Sequence, residues 1–381
     1  ASDRTVYSFS INNEFFQEGL DRFAHFFIDP LFLQNSVGRE LKNVDQEHGK
    51  NLEHDGWRAY MILKETGNPA HPNAKFSTGN AATLSGIPQA ALKAWYENHY
   101  TASRMHLVMI SPLSIDALLE LVSEKFTPVI NRDLPHVSYP LDLLSPQQQR
   151  HWLYIKPVKD LKTLSLLWQL PREIALDQET HSTALVAYVL ANGTQNGLCE
   201  ELKREKLIEG LSVSVDPLSR ECQLMNIDFS LTELGVKQLE TIALRTFQAI
   251  ARLKESSIPR YIYDEHQKLA TMRYEYQSRD DAFTVALKIA GEMTQEKLET
   301  YPQKLVLASR YDPTQIQALL NSLTPQSCVY LVSADSKLTG VSPATHEKWM
   351  NAAYSFKEIS NDKLTAWSSS SSHPRIDLPA P

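Results

Sequence analysis

With 381 residues, 42% of them hydrophobic and 22% charged, the chain has the composition of a folded globular protein and the length of two ordinary domains. A net charge of −7 and a pI near 6.0 argue against a general phosphate-backbone binder, which needs a basic face, so nucleic acid is not expected as a partner. Cys199, Cys222 and Cys328 form neither a C-x-x-C pair nor an even disulfide framework, and no apolar run is long enough to span a membrane.

Residues 5–11 place Tyr7, Phe9 and Ile11 on one side and Ser8 and Ser10 on the other, which predicts a half-buried strand. Residues 14–28 put Phe16, Leu20, Phe23 and Phe27 on one helical stripe, ended by Asp29-Pro30. Residues 37–66 contain no proline and read as one long helix, although Gly38, Gly49 and Gly56 each cost it roughly 1 kcal/mol relative to alanine. A loop over 67–80, a helix over 89–100, a strand over 105–111 and a helix over 115–126 follow. Residues 127–150, with Pro128, Pro135, Pro140 and Pro146 and little periodicity, read as a connection between domains.

The second unit opens with strands over 152–156 and 164–170, a helix over 178–190 and strands over 211–215 and 223–230. Leu239, Ala243, Phe247 and Ile250 mark another helix, with further helices between 260 and 320 and a late strand over 328–332. Beyond Trp367, five serines and then Pro374, Pro379 and Pro381 read as a flexible linker. The order is α+β, and the similar alternation of strands and helices in the two units suggests duplicated domains.

The segment that carries chemistry runs from Arg39-Glu40 through Glu47-His48 and Asn51 to Asp55-Gly56-Trp57. Glu40 and Glu47 stand two helical turns apart on one face, a spacing that suits a metal ligand beside a proton-handling carboxylate and equally a solvated surface. His48 and His54 have no second histidine four residues away, so the segment holds no self-contained metal site. Neither a G-x-G-x-x-G, a Walker loop, a G-x-S-x-G nor a kinase motif set occurs.

Arg39-Glu40, Glu47-His48, Lys50-Asn51 and Asp55-x-Trp57, at these spacings, resemble the distal zinc-ligand helix of the pitrilysin/insulinase (M16, inverzincin) zinc metallopeptidases. The flanks agree: Gly19-Leu20-Asp21-Arg22-Phe23-Ala24 and Asp29-Pro30-Leu31-Phe32 before, Thr66-Gly67-Asn68-Pro69 and Ser77-Thr78-Gly79-Asn80 after. The likeness is nearest to the bacterial protease III branch of the family, strong over 7–126 and looser through the second unit to Trp367. It implies two duplicated-type α/β-roll domains, antiparallel-rich sheets packed with helices, the first of them incomplete. In this family an inverted H-x-x-E-H helix supplies two histidine ligands and the general base, and a distal glutamate completes the zinc.

The resemblance assigns the distal ligand to Glu47, a supporting catalytic role to Glu40, and substrate contacts to Asn51, Trp57 and Tyr60. Leu211 and Val213 fall on a strand whose edge would receive a peptide, with Val213 where the family has a glycine. No H-x-x-E-H occurs in the 381 residues. Residues 1–130 are therefore expected to be the later part of a catalytic domain, 131–150 a linker, 151–367 a noncatalytic domain and 368–381 the start of a linker between halves.

The implied function is part of a zinc-dependent endopeptidase acting on small polypeptides, inactive alone and holding Zn2+ weakly or not at all. The alternative is a noncatalytic scaffold or peptide-binding subunit, which has no need of Glu40, Glu47 and Asn51 together. Implied partners are peptide substrates, an upstream segment and a C-terminal half of the same protein, and a second copy of the chain. The implied setting is periplasmic. With the upstream part missing, Phe9, Phe16 and Phe23 should be undercovered and the first unit less stable than the second.

Overall fold

The computed structural model describes residues 3–135, 137–139 and 141–380; Ala1, Ser2, His136, Pro140 and Pro381 lie outside the described residues. Seven strands make one mixed sheet in the order β3-β4-β2-β5-β1-β7-β6. They are β1 (His151–Ile155), β2 (Thr163–Gln169), β3 (Ile208–Ser219), β4 (Cys222–Leu231), β5 (Val329–Ser333), β6 (Thr345–His346) and β7 (Ala353–Glu358). Only β1 and β5 pair in parallel; every other neighbouring pair is antiparallel.

The sequence of β2 explains how the sheet divides its faces. Leu164, Leu166 and Trp168 point one way and are fully buried, while Ser165 points the other way. Trp152, Tyr330, Leu166, Ile227 and Val213 lie in one continuous row across the register. That face is covered by the helices Ser182–Leu190, Leu198–Arg204, Leu239–Ser256, Pro313–Ser322 and Asn361–Ser368, forming the main core. Its two large aromatic donors are satisfied: the Trp168 indole donates to the Thr324 carbonyl at 2.9 Å and the Tyr330 hydroxyl to the Pro325 carbonyl at 2.9 Å.

The opposite face is shared with the first part of the chain. There α1 (Phe16–Ile28), α2 (Gln34–Asn51) and α3 (Asp55–Thr66) are followed by the helices Gln89–His99 and Ile115–Phe126. Met61 and Ile62 of α3 pack on Leu153 and Ile155 of β1 and on Ala352 and Tyr354, making a second core that joins the two regions. The proline-rich connection is docked rather than loose. Leu143 and Leu144 are buried against Leu167, Leu224 and Val329, and the fully buried Gln148 donates to the Leu63 carbonyl at 2.8 Å and to the Thr66 hydroxyl at 2.9 Å.

Five expectations are corrected. Residues 5–11 and 105–111 are extended but form no strand, because no ladder partner for them exists among the described residues. The alternation over 5–11 is nonetheless real: Tyr7 packs on Phe27 and Phe9 on Phe23, with ring centroids 5.4 and 4.9 Å apart. The long helix over 37–66 is broken in two at residues 52–54. His54 leaves helical geometry and caps α3, its ring nitrogen accepting the Trp57 N–H at 3.3 Å, while Arg58 donates to the freed Leu52 carbonyl at 3.1 Å and to the Met350 carbonyl at 3.2 Å.

The helix expected over 178–190 begins at Ser182, because Asp177 draws the N–H groups of Glu179 and Thr180 into a turn. The segment beyond Trp367, expected flexible, folds back onto the core with Ile376 buried, the Asp377 N–H donating to the Asn196 carbonyl at 2.8 Å and Arg252 paired with Asp377 at 2.9 Å.

Candidate metal and peptide site

α2 is amphipathic in an unusual sense: its buried residues are polar, His48 and Asn51. His48 meets the Phe76 ring edge-on at 5.3 Å and its buried Nδ1 has no hydrogen-bond partner among the described residues. Asp45, one turn before, accepts the Ala81 N–H at 2.7 Å and so fixes the short helix Ala81–Leu84 beside α2. With that side anchored, Glu40 and Glu47 are left exposed. The Glu40 carboxylate accepts from the Asn43 amide at 3.1 Å, and Glu47 makes no hydrogen bond or ion pair among the described residues.

Trp57 and Tyr60 sit on α3, ring centroids 5.9 Å apart, with Trp57 against the core shared with β1 and β7. The Tyr60 hydroxyl donates to the Asn73 side chain at 3.2 Å, and the buried Lys64 ammonium lies 5.2 Å over its ring. Burial pushes the Lys64 ammonium's pKa down. Glu65, next on α3, accepts from the Lys348 N–H at 2.8 Å and from the Tyr354 hydroxyl at 3.2 Å, and burial with this carboxylate nearby pushes Tyr354 up to about 12.

A zinc site needs three donors converging on one point. Among the described residues Glu47 belongs to no such group. The one group of three close enough to share a cation is Glu201, Glu205 and His373. Its carboxylates are already committed to Arg204, Arg375 and Arg245, and the three guanidinium groups make it an ion-pair network that holds down the C-terminal segment.

The second set of expected contacts lies on β3, the terminal strand of the sheet, whose outer edge pairs with no strand among the described residues. The Leu211 and Val213 side chains pack against the main core, so only their backbone is on offer at the edge. The other face of the same strands is polar. Ser165, Asp228 and Ser212 align across β2, β4 and β3, and a cavity of about 460 Å3 is lined by Thr163, Ser165, Gly210, Ser212, Asp228 and Ser230. The Ser165 hydroxyl donates to Asp228. Burial and the neighbouring Asp216 raise the Asp228 pKa above the usual carboxylate range, the Ser165 hydrogen bond opposing them.

Register also connects the two places. Leu153 under α3 is in line with Leu331, Ser165, Asp228 and Ser212, so α3 and the Asp228 cavity lie on the same face of the sheet. Sequence reasoning missed Asp228, His48's buried role and Asp45's capping contact. His48 stands out in sequence only as part of the Glu47-His48 motif, Asp45 and Asp228 belong to none, and only the fold supplies their neighbours.

Comparison with known proteins bears on this arrangement directly. Sequence models of three domains of one family match consecutive stretches: "Insulinase (Peptidase family M16)" over 1–70, "Peptidase M16 inactive domain" over 86–269 and "Middle or third domain of peptidase_M16" over 274–381. The chain belongs to the M16 peptidase family. Among relatives, the M16 chain is 30% identical over 393 residues to insulin-degrading enzyme-like 2 of Arabidopsis thaliana, covering 100% of this chain and 40% of that protein. It is 26% identical over 386 residues to human insulin-degrading enzyme, covering 100% of this chain and 38% of that protein.

The solved structure of pitrilysin superposes with a TM-score of 0.88 at 24% identity, covering 97% of this chain and 39% of that one. The first half of the periplasmic protease PqqL from Escherichia coli superposes with a TM-score of 0.67 at 12% identity, covering 94% of this chain and 75% of that one. These likenesses show the M16 fold, and the chain spans about two fifths of the length of the curated relatives it matches.

Proposed function

We propose that the chain is part of a zinc-dependent endopeptidase that cleaves small polypeptides. In this reading Glu47 is one ligand of a zinc ion whose other donors lie outside these 381 residues, and Glu40 is the supporting carboxylate two turns away. Asn51, Trp57 and Tyr60 line the approach to the metal. The free edge of β3, at Leu211 and Val213, pairs with extended substrate through its backbone. No membrane-crossing helix is found among the described residues. A periplasmic setting and association with the remaining part of the same protein belong to the same proposal, as do the domain limits 1–130, 131–150, 151–367 and 368–381.

The observation that carries the reading is Glu47 itself. It is an exposed carboxylate with no protein partner among the described residues, on a helix anchored by the buried His48 and by Asp45. A carboxylate on an anchored helix and free of competing donors is available to a metal, as a ligand must be. Asn43 orients Glu40 on the same face.

The test is hydrolysis of a fluorogenic peptide by this chain mixed with a separately produced segment bearing the H-x-x-E-H helix and the C-terminal half. Activity is expected only in the mixture, falling at least about a hundredfold with Glu47→Gln. An inactive mixture whose parts demonstrably associate would instead favour a noncatalytic peptide-binding scaffold.

A further inference from the structure

The free edge of β3 and the Asp228 cavity are neighbours on the same strands, and the cavity, which Leu211 and Phe229 also line, contains no cationic residue. Its lining offers a carboxylate and the hydroxyls of Thr163, Ser165, Ser212 and Ser230. No lysine, arginine or histidine forms an ion pair with Asp228 among the described residues, and Asp216, the charged group acting on it, has its own carboxylate occupied by the Asn226 amide at 2.6 Å. A half-buried carboxylate held this way is an acceptor without a cation.

Sheet geometry sets what could reach it. A peptide strand added to the outer edge of β3 would lie about 10 Å, two strand spacings, from Asp228 on β4. Side chains on alternate residues of that peptide would project over the same face as Ser212 and Asp228. Ser212 is small and exposed, and Gly210 beside it has no side chain, so the path from the edge to Asp228 is open. A long stem is needed to cross it, and a cationic head gives the strongest pairing with the carboxylate at its end.

We infer that Asp228 is a specificity-determining subsite that selects a lysine or arginine side chain of an extended peptide docked on the free edge of β3. The inference rests on the proposed edge docking and adds the substrate class to it. Ser165 orients the carboxylate from below, and Ser212 is the gap through which the cationic side chain passes.

The experiment uses the 381-residue chain and two amino-terminally acetylated, fluorescein-labelled threonine/valine peptides, one with a central lysine and its twin with norleucine there. Binding is read by fluorescence anisotropy. The lysine peptide should bind roughly tenfold more tightly than its twin, and the preference should shrink as salt is raised. Asp228→Asn, which keeps an acceptor for Ser165, should erase the preference and leave norleucine binding unchanged. Ser212→Leu, on the exposed face, should do the same by closing the path. Equal binding of the two peptides, or a preference that survives both substitutions, would overturn the inference while leaving edge docking intact. If neither peptide binds, the edge-docking reading fails and takes the inference with it.

Discussion

A Cβ placed on Gly235 would sit 1.9 Å from the carbonyl oxygen of Leu207, a backbone atom that already accepts from the N–H and hydroxyl of Thr232. Nothing there can yield without pulling β3 away from the helix Glu233–Lys237. Gly235→Ala should therefore destabilise the protein by about 3 kcal/mol in urea unfolding, far more than an exposed glycine-to-alanine change. A loss below about 0.5 kcal/mol would mean the turn relaxes freely. Residues of this kind mark the limit of sequence reading. Helix spacing puts Glu40 and Glu47 on one face while their assigned roles come from the family resemblance, whereas Asp228 acquires its meaning from Ser165 and Ser212, which sequence places far away and only strand register brings alongside.

Among elements, Gln148 is a fully buried side chain in the seam between α3 and the connection before β1, where the Ser145 hydroxyl also donates to the Thr66 carbonyl at 2.6 Å. Gln148 donates to the Leu63 carbonyl and the Thr66 hydroxyl and accepts the Ser145 N–H at 3.1 Å. Gln148→Ala would strand these buried groups and should cost about 2–3 kcal/mol by urea unfolding, with Gln148→Glu no better because a carboxylate cannot donate. A neutral result for the alanine variant would show that water replaces the amide.

At this scale the sequence was most informative where periodicity is long: the helix Leu239–Ser256 follows from its stripe of Leu239, Ala243, Phe247 and Ile250. The break between α2 and α3 was not legible, since Arg58 stabilises it through Met350, far along the chain. β7 was missed although Tyr354 and Phe356 alternate with Ser355, because so short a run is ambiguous without its partner β1.

Over the whole molecule the burial is uneven. α1 buries only Leu20 and Ala24, and the helix Ile115–Phe126 only Leu121, whereas the helix Leu239–Ser256 buries Leu239, Ile242, Ala243, Thr246, Phe247, Ala249, Ile250 and Leu253. Phe26 and Trp95 are more than half exposed around a small aromatic pocket of about 150 Å3 formed with Phe27, Tyr96 and Tyr100. Amides of α1 and of the helix Ile115–Phe126 should exchange with deuterium at least about a hundredfold faster than those of β2 and β4. Met61 and Ile62 of α3, sealed against β1 and β7, should place α3 with the protected sheet. Equal protection throughout would mean that the first 130 residues are stabilised by something other than the contacts described.

The most direct test of the central claim is zinc content by plasma mass spectrometry. It would be measured on the M16 chain alone, on its complex with a segment bearing the H-x-x-E-H helix, and on the same complex carrying Glu47→Gln. Substoichiometric metal is expected in the first, close to one zinc per complex in the second, and a return to substoichiometric metal in the third, with Glu47→Gln folding normally because the side chain is exposed. One zinc bound by the isolated chain, or a full complement retained by the Glu47→Gln complex, would contradict that claim.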